Sequence, residues 1–267
     1  MKKTNLHFLR TFVFATLLPT LSISLISCEP DDIEENKNTS NITSSLNNST
    51  VTDDKIGDSD DEFPYETPEN IPEGAVDLGL SVFWAKCNIG ATKPEESGDY
   101  YAWGEIAKKK TCNWSTYKWC GGSHVTLTKY CYDIHYGTID DKTTLDLDDD
   151  VAYQEKGENW RMPTVDEFNE LREKCTWEWT QKGNVYGYEV TSRRTKNSIF
   201  FPAAGYYYEG GFTHNNSIGD YWSSTLSSDI NSEACCLYFD KDAHNIYDDY
   251  RYYGHSIRPV ADRSDIE

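Results

Sequence analysis

From Ala75 to Ala85 the chain reads Ala-Val-Asp-Leu-Gly-Leu-Ser-Val-Phe-Trp-Ala, apolar residues alternating with small or polar ones and Gly79 interrupting them. A period of two broken by glycine predicts a β-hairpin. Asp99–Glu105 predicts a third short strand, whereas Ile106–Thr144 has no period and predicts a long loop carrying Trp114, Tyr117, Trp119, Tyr130 and Tyr132. Two helices follow. One runs from Asp148 to about Lys156, with Asp148, Asp149 and Asp150 at the positive end of its dipole. The other opens on Thr164-Val-Asp-Glu167, a capping box, and places Phe168, Leu171 and Cys175 at helical spacing. Short strands are then predicted at Trp177–Gln181, Val185–Ser192, Ser198–Phe201, Tyr221–Ser223, Ala234–Phe239, Ala243–Tyr247 and Ser256–Val260. Strands, two helices, then many strands predict an α+β domain rather than a parallel sheet.

The first quarter of the chain follows different rules. Lys2, Lys3 and Arg10 precede a mostly apolar run, Thr11–Ile26, too short for a comfortable spanning helix and laid out as a secretory signal. Leu25-Ile-Ser-Cys28 closes it and resembles the lipobox of bacterial lipoproteins, which implies lipid on Cys28 and contact with a membrane through it. The acidic run Glu29–Glu35 resembles the surface-export signal of Bacteroidetes lipoproteins, so the expected location is the outer membrane, facing outward. From Asn36 to Glu69 the residues are Asn, Ser, Thr, Asp and Glu without period, a composition that cannot offset its ordering entropy. The expected plan is therefore a signal peptide at 1–27, a disordered tether at 28–73, a globular domain at 74–262 and a short tail at 263–267.

A net charge of -20 opposes binding to a phosphate backbone, and no nucleic-acid partner is expected. Aromatic residues make up 14% of the chain, with 19 tyrosines, a residue suited to recognition surfaces and also to half-buried strands. There are eight cysteines; with Cys28 lipidated seven remain, too many by one to pair fully, and none shows C-x-x-C spacing. Adjacent Cys235 and Cys236 should point to opposite faces of a strand. No cofactor is expected. The one candidate metal site is a structural calcium at Asp146, Asp148 and Asp150, which dipole stabilisation explains equally well.

Six ordered motifs carry a resemblance. They are Gly74-Ala-Val-Asp-Leu-Gly-Leu-Ser-Val-Phe-Trp-Ala-Lys-Cys-Asn-Ile-Gly-Ala91, Gly98-Asp-Tyr-Tyr-Ala-Trp-Gly-Glu105, Asn159-Trp-Arg-Met-Pro-Thr164, Phe201-Pro-Ala-Ala-Gly-Tyr206, Tyr221-Trp-Ser-Ser224 and Ile257-Arg-Pro-Val260. Together they resemble the Fibrobacter succinogenes major paralogous domain family of Bacteroidetes lipoproteins. That resemblance implies a C-type lectin-like fold, two helices beside twisted antiparallel sheets with the termini close together, and no settled activity. Arg161–Phe168 is similar to a helix start in the formylglycine-generating group of that fold. That group works through two cysteines a few residues apart; here only adjacent Cys235 and Cys236 occur, and no enzyme is expected. His214, His244 and His255 are expected as exposed loop histidines.

The stretch Ser227–Ser256 is rich in Tyr, Asp, Asn, Ser and His, and resembles the variable segment of proteins diversified by a retroelement that mutates adenines. On a rigid framework such side chains act as a paratope does. The candidate contacts for a glycan or protein ligand are Trp222, Tyr238, Asp240, Asp242, His244, Asn245, Tyr247, Asp249, Tyr250, Tyr252, Tyr253 and His255, with Tyr206, Tyr207 and Tyr208 as a possible extension of the face. The competing readings are an ordinary strand pair with alternating tyrosines, and a subunit or tip of a surface assembly that buries this segment against another chain. Anchoring has its own test. Radiolabelled palmitate supplied to cells should enter the mature chain, and Cys28→Ser should abolish the label.

Overall fold

The computed structural model describes residues 65–263, which belong to one compact unit. The expected signal peptide, the expected lipidation at Cys28 and most of the expected tether and tail lie outside the described residues.

The alternating segment forms the expected hairpin. Strands β1 (Ala75–Val76) and β2 (Val82–Ala85) pair antiparallel with Ala75 opposite Ala85 and Val76 opposite Trp84. Gly79 turns the chain at φ +68°, and its amide donates to Asp77 Oδ1 at 2.8 Å. The last strand, β11 (Val260–Asp262), pairs with the other side of β2, so both ends of the domain share one three-stranded sheet. The Arg263 guanidinium reaches both the Asp77 carboxylate and the Tyr65 hydroxyl, and Tyr65 donates to Asp77. Tyr65, within the stretch expected as tether, thus finds partners in the domain.

Helix α1 (Val151–Lys156) starts later than the acids suggested. Asp150 is its N-cap, accepting from the amides of Ala152, Tyr153 and Met162, while Leu147–Asp149 form a 3-10 turn before it. Asp149 is buried and accepts from Tyr130 Oη at 2.7 Å and Lys129 Nζ at 2.6 Å; Asp146 pairs with Lys129 and Lys142. Asp148 is exposed. The candidate calcium set is therefore dispersed, with Asp146 committed to lysines and Asp150 to main-chain amides. Helix α2 (Val165–Lys174) has the expected capping box, Thr164 Oγ1 accepting from Glu167 N and Glu167 Oε2 from Thr164 N. Phe168 and Leu171 are buried, and Cys175 is buried too, but as the first residue of a strand.

Strands β3 (Cys175–Lys182), β4 (Val185–Ser192) and β5 (Ser198–Pro202) form one antiparallel meander. A small hairpin follows, β6 (Tyr206–Tyr208) with β7 (Gly211–Thr213), where no strand was expected. A second meander, β8 (Gly219–Leu226), β9 (Glu233–Phe239) and β10 (His244–Tyr250), has β9 central and β10 at one edge. Asp99–Glu105 is not a strand: Tyr101 makes an isolated bridge to His255, and Trp103 N donates to Arg251 O. Ser256–Pro259 is likewise extended but outside any sheet, touching Tyr221 through one bridge. Among the described residues, two α-helices with four small antiparallel sheets make an α+β architecture.

Two fully buried guanidinium groups tie these pieces together. Arg258 donates to Asn88 Oδ1, Ala85 O and Phe200 O and lies 4.4 Å over the Phe201 ring. Arg251 donates to Tyr117 Oη and to the carbonyls of Lys129, Tyr130 and Asn231, with the Trp103 ring 4.9 Å away. Each charge is satisfied by carbonyl dipoles from segments remote in sequence. Arg258→Met strands three buried acceptors and should lower unfolding free energy by about 3 kcal/mol or more. Thr164→Ala, which removes one cap, should cost only about 1 kcal/mol. Urea unfolding of the two variants checks the ranking.

Candidate functional site

The sheet β10-β9-β8 separates two cores, and this decides the fate of the expected binding residues. On one face Tyr221, Leu237 and Phe239 join Trp84, Phe168 and Phe201, with Ile246 packed against them. On the other Trp222, Ala234 and Cys236 join Tyr101, Trp103 and Tyr130, with Tyr247 packed against them. A strand covered on both sides buries both parities of its alternation.

The outward face expected from Trp222, Tyr238, Asp240, Asp242, His244, Asn245, Tyr247, Asp249, Tyr250, Tyr252, Tyr253 and His255 is therefore corrected. Trp222, Asp249, Tyr252 and His255 are buried, and His255 is no exposed loop residue. Tyr238, Asp240, His244, Asn245, Tyr247 and Tyr253 are half-buried, and only Asp242 and Tyr250 are exposed. Several have structural work. Asp240 Oδ1 accepts from the amides of Asp242 and Ala243 and closes the β9–β10 turn, while Tyr238 Oη donates to Asp240 Oδ2. Arg172 of α2 donates to His244 O at 3.1 Å and Asn245 Oδ1 at 3.3 Å. The His244 ring stacks on Trp177 at 4.5 Å, turned toward the first core.

What reaches the surface is an aromatic platform from three segments. Hairpin β6–β7 lies against the chain after β10, with Tyr207 and Gly254 exchanging backbone hydrogen bonds at 2.9 Å. Gly254 permits the approach, since a Cβ there would lie 3.0 Å from Cys112 Sγ and 3.1 Å from Tyr207 Cβ. Tyr206 stacks between His214 (5.6 Å) and Tyr253 (5.7 Å), and Tyr253 meets Tyr208 and Tyr250 at 6.4 and 5.9 Å. Tyr250 stacks on Tyr252, and both contact Trp114 from the long loop, which meets His124. Tyr208, Phe212 and Tyr250 are 37%, 42% and 41% exposed. A polar cleft has walls that include Lys93, Glu96, Asn184, Asn215 and Asn216, of which Asn215 follows His214 in the chain. Sequence reasoning named the tyrosines at 206–208 only as an extension, and passed over Trp114, His124 and Phe212. Nothing local marks those three; the platform exists only once the long loop folds back.

Directly beneath the platform is a polar cluster. Asp220, Cys236, Asp249 and His255 are buried, and one donor atom from each lies within 4.8 Å of the others. His255 Nε2 is 3.5 Å from Asp249 Oδ2, and the His255 ring stacks on Trp222 with centroids 4.0 Å apart. Tyr206 and Tyr253 approach the same ring edge-on at 5.8 and 6.1 Å. Backbone bonds fix the arrangement: Tyr101 and His255 exchange bonds at 3.1 Å, Trp222 N donates to Ser256 O, and Ser256 N to Asp220 O. Asp220 and Cys236 were not among the expected site residues, although their even numbering puts them on the Trp222 face once the register is known.

Cysteine chemistry points away from activation. Cys235 and Cys236 face opposite sides of β9, as adjacent strand residues must. Burial and then the Asp248 carboxylate push the Cys235 thiol up to about 12. The seven described cysteines are all free thiols.

A family model described as a domain of unknown function (DUF8237) matches residues 169–260, from within α2 to the start of β11. No curated protein and no solved structure matches the chain.

His244 supplies a testable electrostatic feature. Burial, and then Arg172, lower its pKa below the ordinary 6.5. A neutral ring favoured by folding contributes stability above the unfolded pKa, and that contribution is lost as pH falls through the lowered folded value. NMR titration should find His244 titrating below 6.5. His244→Phe, which keeps the stack on Trp177, should flatten the stability profile on the acid side of pH about 6.5.

Proposed function

We propose that this chain is a lipoprotein held on the outer membrane by lipid on Cys28, displaying outward a non-catalytic C-type lectin-like recognition module that binds a glycan. The six ordered motifs support membership of the Fibrobacter succinogenes major paralogous domain family, and the sharing of β2 by β1 and β11 fits the close termini of that fold. The observation that carries the binding claim is the aromatic platform. Exposed rings at Tyr250, Tyr208 and Phe212, beside the stacked pair Tyr206–Tyr253, present apolar surface of the size of a pyranose ring. The polar cleft offers carboxylate and carboxamide groups, from Glu96, Asn184 and Asn215, for sugar hydroxyls. Recognition on this reading uses the end of the late segment and the β6–β7 hairpin rather than the faces of β9 and β10. Segment diversification would then act on few exposed positions, Tyr250 and Asp242 chief among them.

A subunit role in a surface assembly has one specific support. β10 is an edge strand whose outer side is open to a partner strand beyond the part that α2 covers. In that case the purified chain would self-associate or capture a strand, and the platform tyrosines would be indifferent.

Glycan-array screening followed by titration of the best hit tests the proposal. Tyr250→Ala and Tyr208→Ala should each weaken binding about tenfold, the worth of one stacked ring. Tyr250→Ala, which loses ring contacts with Trp114, Tyr252 and Tyr253, should cost no more than about 2 kcal/mol and leave the chain folded. Undiminished glycan binding in both variants, or binding only to proteins, would sink the glycan reading.

A further inference from the structure

We infer that Asp220, Cys236, Asp249 and His255 form a structural site for one zinc ion. The four side chains come from three neighbouring strands and the segment after them: Asp220 on β8, Cys236 on β9, Asp249 on β10, and His255 held against β8 through Ser256. Their relative exposures are 1%, 1%, 7% and 0%. Four donors in a tetrahedral zinc shell, at roughly 2.0–2.3 Å from the ion, sit about 3.4–3.7 Å from one another. Mutual separations within 4.8 Å are therefore about one ångström of side-chain movement from closure.

The donor types select the ion. A thiolate and an imidazole do not suit calcium or magnesium, which take oxygen shells, whereas sulfur, nitrogen and carboxylate together suit a borderline divalent ion in four-coordinate geometry. Trp222, stacked on the imidazole at 4.0 Å, fixes the ring plane as an outer-shell partner does. With four protein donors and no exposed member, the site is closed and serves stability rather than catalysis. No C-x-x-C pair announces it because strand register, not local spacing, gathers the ligands.

The ion would cross-link β8, β9, β10 and the 251–255 segment, and so brace from below the chain that carries Tyr250, Tyr252 and Tyr253. The inference does not depend on what the platform binds.

The test uses the full chain, reduced, stripped with a chelator and titrated with Co²⁺ and then Zn²⁺. One Co²⁺ per chain should bind with a near-ultraviolet thiolate charge-transfer band and the strong visible absorption of tetrahedral coordination. An equimolar amount of Zn²⁺ should displace it and raise the thermal midpoint. Cys236→Ser should remove the charge-transfer band, Asp249→Asn should weaken Zn²⁺ binding at least tenfold, and Cys235→Ser, on the opposite face, should change neither. The unaltered chain decides even if a variant fails to fold: absence of any thiolate–cobalt band in it overturns the site. So does a band that survives Cys236→Ser and vanishes in Cys235→Ser. Because the readout is spectroscopic, failure here leaves the glycan reading standing, and loss of glycan binding leaves the metal site standing.

Discussion

The buried guanidinium of Arg258 is the constraint from which much of the domain follows. Its donors hold the last carbonyl of β2, the Asn88 amide and the β5 backbone in one place, although these lie 58 to 173 residues away in sequence. Burial works against the charge and lowers its pKa, so the group persists because polar acceptors replace the lost water. Arg251 does the same for the irregular half of the molecule. The long loop between the first hairpin and α1 has little regular structure, yet Lys129, Tyr130 and Tyr117 are fixed by this one side chain. Carbonyl dipoles suit that task better than a carboxylate would, because several segments can share one cation.

Once the arginines fix the frame, the β10-β9-β8 sheet becomes a partition. Trp84 and its aromatic neighbours fill one side; Trp222, Trp103 and Tyr130 fill the other. The late segment, rich in tyrosine and acid, is thereby divided by position rather than by residue type. Its β9–β10 part closes a turn and packs against α2, Asp249 enters the interior, and of the candidate contacts only Asp242 and Tyr250 are exposed. Platform and polar cluster are joined through His255, whose ring touches Trp222 below and Tyr206 and Tyr253 above. Whatever rigidifies the cluster therefore also bears on the positions of Tyr206 and Tyr253.

Local chemistry was legible in the sequence wherever the signal is local. The hairpin around Gly79, the capping box at Thr164 and Glu167, the span Val185–Ser192 and the opposite facing of Cys235 and Cys236 follow from period, cap and pleat, which need only a few neighbouring residues. The α+β class follows from the order of those elements. The tertiary structure alone decided that both faces of β9 and β10 are covered, that Asp148 is exposed while Asp149 and Asp150 bond inward, and that Asp220 and Cys236 join Asp249 and His255. The physical reason is that alternation fixes which residues share a face but carries no information about what lies against that face. Only long-range contacts, set here by two buried arginines and the folding back of the long loop, determine whether a face meets water, a second core or another set of ligands.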